Sequence, residues 1–159
     1  MGEMDTILFT IPAKPDYIGV VRLTISGIAS RMGFSFDDIE DIKVAVSEAI
    51  TNAVQHAYPK EDDKGQVQIK IRVFLDRIDI EVADNGQSFD INDTHKLNSL
   101  DPTKSFEQLT EGGLGLYLID ALMDNVSITS DTGVVVHMSK FLNKGEVGQN
   151  AGKIYSSQD

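Results

Sequence analysis

The sequence predicts an α+β fold, a two-layer α/β sandwich with three helices on one mixed sheet of about five strands. Three observations predict it. Apolar residues recur at helical spacing in three separate segments. They alternate with polar residues in two adjacent runs near the middle of the chain. The 159 residues, 41% of them hydrophobic, are enough for one well-buried core and too few for two.

Residues 5 to 11 have the composition of a short strand, ended by Pro12. Pro15 suits the first turn of a helix, where its missing N–H would have no helical partner in any case. That helix is expected to run to about Gly33, which accepts a left-handed stop. Ile18, Val21, Ile25, Ile28 and Ala29 give it one apolar face. Ser35, followed three residues later by Asp38, resembles a capping box and opens a second helix extending to about Ala57, with Pro59 just beyond. Its apolar face is Ile39, Ile42, Val46, Ala49, Ile50 and Ala53. Val67, Ile69, Ile71 and Val73, then Ile78, Ile80 and Val82, alternate around a turn near Asp76-Arg77 and predict an antiparallel hairpin. Periodicity is lost from 90 to 111, a stretch that in a compact domain is either disordered or a functional lid. Leu114, Leu116, Leu118, Ile119, Leu122 and Met123 then predict a third helix, followed by strands near 126 to 130 and 133 to 142. The expected organisation is one domain over residues 1–142 and a polar, flexible tail over 143–159.

Charge and composition exclude several functions. Twenty-five acidic against fourteen basic side chains give a net charge of -11, which opposes phosphate backbones and argues against direct DNA or RNA binding. A basic protein partner would be attracted. No apolar run approaches the roughly 20 residues of a membrane span, and the N-terminus has no basic-then-apolar leader. A soluble cytoplasmic protein without membrane contact is expected. Zero cysteines remove disulfides, thiolate metal sites and cysteine nucleophiles together.

Three constellations carry chemistry. Glu48, Asn52 and His56 stand at i, i+4 and i+8, so on a helix they form one polar stripe beside the apolar face, at the edge of a cleft. The stripe equally describes the solvated side of an amphipathic helix. Against that, asparagine is a poor interior helix former, and its amide oxygen is a hard ligand suited to Mg²⁺. Glu48 can orient or deprotonate a hydroxyl. His56, at the helix end, suits a cap or a packing contact. Asp84 ends an apolar strand before Asn85-Gly86. This is either a tight turn or an acceptor for an adenine exocyclic amine, with Gly86 allowing close backbone approach. Gly112, Gly113 and Gly115 precede and open the third helix, either as a hinge or as bare backbone whose N–H groups meet phosphate. The run matches neither the Rossmann nor the Walker pattern, and no protein-kinase H-R-D or D-F-G signature is present.

At these residues the chain resembles the GHKL ATP-binding superfamily: Glu48 to His56 resembles its N box, Asp84 to Phe89 its G1 box, and Gly112 to Leu116 its G2 box. Ile42 to Tyr58, Val21 to Gly27 and Glu111 to Leu116 are similar to the RsbW family of anti-sigma-B factors and serine-protein kinases, over about residues 7 to 142. The resemblance implies a Bergerat fold, ATP and Mg²⁺ as cofactors, and a homodimer. It implies two alternative partners, a stress sigma factor held in an inhibitory complex and an anti-anti-sigma factor phosphorylated on serine. It also implies that Leu114 and Leu116 accompany the glycines at the nucleotide and that Arg22 lies on the partner-binding face. Ser88 stands where the superfamily often has a second glycine. Val135 stands where relatives commonly carry a threonine against the adenine, with Thr132 as a substitute. The leading expectation is an ATP-dependent serine-protein kinase that is also an anti-sigma factor. The alternatives are a sequestering module that uses nucleotide only to change shape, and a histidine-kinase ATP-binding domain. The latter is disfavoured by the lack of a His-Glu or His-Asp phosphoacceptor dipeptide at His56, His95 or His137.

Overall fold

A computed structural model describes residues 2, 5–56, 65–84, 111–130 and 133–143, with backbone alone for 56, 111–114 and 130. In chain order the elements are β1 (Asp5–Pro12), a 3-10 turn (Pro15–Tyr17), α1 (Ile18–Met32), α2 (Phe36–His56), β2 (Gln66–Val73), β3 (Arg77–Asp84), α3 (Glu111–Leu122), β4 (Asn125–Ser130) and β5 (Val134–Phe141). The predicted stops are realised. Gly33 ends α1 at φ 96° and donates its N–H to the carbonyls of Ala29 and Ser30, a left-handed cap that a side chain would strain. The Ser35 hydroxyl accepts the Asp38 N–H at 3.2 Å and so satisfies one orphan donor of α2. The region from 90 to 110 and the tail beyond 143 lie outside the described residues.

The five strands lie in the order β1-β2-β3-β5-β4. All four pairings are antiparallel, so the described sheet is not mixed as expected. The connections explain this. Only three residues separate β2 from β3 and β4 from β5, a spacing that only antiparallel neighbours permit, and a pair of helices separates β1 from β2 rather than a single crossover helix. Alternation along β3 buries Ile78, Ile80, Val82 and Asp84 on the face where α2 packs. On β5 the same face takes Val134, Val136 and Met138. The helices fill the layer from the other side with Val21 and Ile25 of α1, Ile42, Val46 and Ile50 of α2, and Ile119 of α3.

The opposite face of the sheet is polar. Glu81 pairs with Arg72 and with His137 Nδ1 at 3.1 Å, while His137 Nε2 lies 3.3 Å from the Thr129 hydroxyl. These half-buried charged pairs keep this face from joining a second core. Among the described residues no helix is long and apolar enough to cross a membrane.

Candidate active site

Two buried polar side chains occur among the described residues, Asn52 at 6% exposure and Asp84 at 4%, and both were singled out by sequence. Burying an amide or a carboxylate is costly unless a partner compensates, so their location needs a reason beyond folding.

Asn52 does not lie at an open cleft edge, as its place beside the apolar face of α2 predicts. It is enclosed because α3 packs along α2 and brings Gly115 directly over it. A Cβ placed on Gly115 would stand 3.0 Å from Asn52 Nδ2, 3.0 Å from Glu48 Oε2 and 3.3 Å from Asn52 Oδ1. Glu48, Asn52 and Gly115 therefore meet at one point, although Gly115 lies more than sixty positions beyond Asn52 in sequence. Glu48 is half-buried, and its Oε2 lies on the side of α2 that Gly115 covers. The Asn52 Nδ2 is buried with no hydrogen-bond partner, a donor left waiting for an acceptor. The neighbouring hydroxyls do not fill that role. Ser47 donates to the Lys43 carbonyl at 2.7 Å and Thr51 to the Ser47 carbonyl at 2.8 Å. His56 closes α2 as its last residue.

Asp84 is the last residue of β3 and points to the helix side of the sheet. Its Oδ1 accepts the Val134 N–H at 3.4 Å, which ties the end of β3 to the start of β5. That contact depends on the β3–β5 register, which local sequence pattern does not encode. Register also corrects the place of Val135. It pairs with Ala83, between Val134 and Val136, whose side chains enter the core. By alternation the Val135 side chain stands on the polar face, away from Asp84.

The glycines were expected to precede and open the third helix; instead Gly112, Gly113 and Leu114 already form its first turn, because α3 begins at Glu111. The N–H groups of a first turn have no intrahelical partner and carry the positive end of the helix dipole. Leu116 is half-buried against the core and anchors this end of α3. Gly86, Ser88 and Thr132 lie outside the described residues. Arg22 sits half-buried on α1 between the exposed Val20 and Leu23, and among the described residues it forms no ion pair. The described residues hold no cluster of three or more His, Asp or Glu able to cage a metal by themselves.

The fold and these residues define a histidine kinase-like ATPase: the family described as "Histidine kinase-like ATPase domain" matches residues 11–140, from the end of β1 almost to the end of β5. A domain of this class implies ATP binding. The serine-protein kinase RsbW of Bacillus licheniformis is 56% identical over 144 residues, covering 90% of this chain and 89% of that protein. That of Oceanobacillus iheyensis is 47% identical over 159 residues, covering 99% of this chain and all of its relative. The chain belongs to this RsbW family of serine-protein kinases within the histidine kinase-like ATPases. The fold recurs in the crystal structure of the RsbU and RsbW domains of Rv1364c from Mycobacterium tuberculosis, with TM-score 0.62 and 21% identity. That match covers 87% of this chain and 33% of the other.

Proposed function

We propose that this protein is an ATP-dependent protein-serine kinase that phosphorylates an anti-anti-sigma factor and, in the alternative complex, holds a stress sigma factor of the sigma-B type inactive. The observation that carries this reading is the enclosed amide of Asn52, its Nδ2 unpartnered, beside the carboxylate of half-buried Glu48. The names of the relatives support it.

The residues fit a magnesium–nucleotide complex. The Asn52 Oδ1 and one nearby carboxylate are too few ligand oxygens for a protein cage. They suit Mg²⁺, which keeps several waters and shares substrate phosphates. Asn52 would hold the metal, and Asp84 and Gly86 the adenine. Gly112, Gly113, Leu114, Gly115 and Leu116 would hold phosphate at the first turn of α3, with Thr132 near the base. Bound ATP supplies the phosphoryl group, and the metal neutralises its charge. Phosphoryl transfer needs mainly positioning and charge stabilisation, so few protein groups suffice. Glu48 orients the acceptor serine hydroxyl and accepts its proton. The Val134 N–H fixes the Asp84 carboxylate for the base. Arg22 presents a planar multi-donor cation to the protein partner. The working form is a cytoplasmic homodimer.

Incubation with ATP, Mg²⁺ and an anti-anti-sigma protein tests the proposal. The expected product is an acid-stable phosphoserine on the partner, with loss of its binding. Sequestration of sigma factor without phosphate transfer would instead make the chain a nucleotide-gated binding module. An acid-labile phosphohistidine would make it a histidine kinase.

A further inference from the structure

We infer that Gly115 is a positioning residue for the phosphotransfer pair: its missing side chain is the clearance that lets Glu48 and Asn52 stand together under α3. This rests on the reading of Glu48 and Asn52 given above. It assigns Gly115 a role distinct from cradling phosphate.

The bare Cα of Gly115 faces α2. One turn further along α3, Ile119 is fully buried, so residues 115 and 119 lie on the inward stripe of the helix. A methyl group at 115 would meet the Glu48 carboxylate and both heteroatoms of the Asn52 amide at 3.0 to 3.3 Å. These neighbours would have to give way by a few tenths of an ångström. They cannot give equally. Asn52 is 6% exposed and held between the helices, whereas Glu48 is only half-buried and has a longer side chain with one more rotatable bond. The carboxylate is therefore the group that moves. A base displaced in this way loses rate through misorientation while leaving the nucleotide contacts of α3 in place. A glycine needed only for phosphate approach would have the opposite signature, because its substitution weakens nucleotide binding first.

The test combines two cycles on the full chain. In the first, Gly115→Ala is made alone and with Glu48→Asp, whose shorter side chain draws the carboxylate away from the added methyl. ATP affinity is titrated and single-turnover phosphorylation of the anti-anti-sigma protein is timed. Gly115→Ala should slow transfer about tenfold with ATP affinity changed by less than about twofold, and should slow the Glu48→Asp protein by less than about twofold. Loss confined to ATP affinity, or the same slowing in both backgrounds, would overturn the inference. The second cycle needs neither nucleotide nor catalysis. Gly115→Ala should lower the melting temperature of the otherwise unchanged protein. It should raise that of the Glu48→Ala, Asn52→Ala protein, where alanine gains its ordinary helical advantage over glycine. If the unchanged protein transfers no phosphate, the kinase reading fails while this melting cycle still decides the inference. A fall in melting temperature in both backgrounds would overturn it.

Discussion

Asn52→Ala should make the nucleotide-free protein more stable and the nucleotide-loaded protein less so. In the free protein the Asn52 Nδ2 is buried and unpartnered, and an unsatisfied buried donor costs about 1–3 kcal/mol. Its removal recovers that amount, and alanine adds about 0.5 kcal/mol of helix propensity in the interior of α2. Against this, the amide's heavy atoms lose packing contacts worth about 0.1–0.2 kcal/mol each, or about 1 kcal/mol together. The net gain is about 0.5–2.5 kcal/mol, which raises the midpoint of thermal unfolding by about 1–10 °C in a chain of this size. With ATP and Mg²⁺ at a hundred times the dissociation constant, the unchanged protein gains about 2.7 kcal/mol by mass action, and the variant forfeits most of that. Thermal unfolding of both proteins, with and without ATP and Mg²⁺, measures the crossing directly. A variant that is destabilised in the absence of nucleotide would show that the amide serves the apo fold, and the case for Asn52 as a ligand would collapse.

Three further substitutions separate the roles assigned above. Glu48→Gln preserves shape but removes the base, so transfer should fall by about a hundredfold with ATP affinity retained; near-normal single-turnover phosphorylation would return Glu48 to a plain helix surface. Asp84→Asn can still accept the Val134 N–H, so the fold should persist. ATP affinity should drop by about 1.5–3 kcal/mol, the worth of a hydrogen bond to a charged acceptor, and calorimetric titration showing no change would remove Asp84 from base recognition. Arg22→Ala should weaken anti-anti-sigma binding by at least about 1 kcal/mol with ATP affinity unchanged; equal partner affinities for both proteins would leave it a surface residue.

Much of the fold was legible because it rests on short-range rules. The 3.6-residue recurrence on α1 and α2, the two-residue alternation on β2 and β3, the glycine stop at Gly33 and the serine cap at Ser35 are each set by a few neighbouring residues. Strand direction was less legible. Alternation along a strand does not state which neighbour it takes, so the place of β5 between β3 and β4 is seen only in the sheet itself. The same limit explains Val135. A match by motif aligns residues along the chain, whereas the face a side chain takes is set by pairing, and here Ala83 opposite Val135 turns that side chain away from Asp84.

The candidate site divides along a similar line. Its residue types were visible, since an asparagine inside a helix, an aspartate at a strand end and glycines opening a helix each run against local propensity. Their mutual placement was not. The stripe Glu48, Asn52, His56 is compatible with any exposed helix face, and only the packing of α3 on α2 turns its middle member into a buried polar group. That burial raises the free energy of the empty domain, because neither Gly115 nor the satisfied hydroxyls of Ser47 and Thr51 offer the amide an acceptor. A fold selected for stability alone would place alanine or leucine at position 52 and a helix former at 115. The two local exceptions occur at the same contact, each making room for or waiting on the other. Their common explanation is a ligand that arrives with its own oxygen atoms, which is the requirement a magnesium-bound phosphate chain meets.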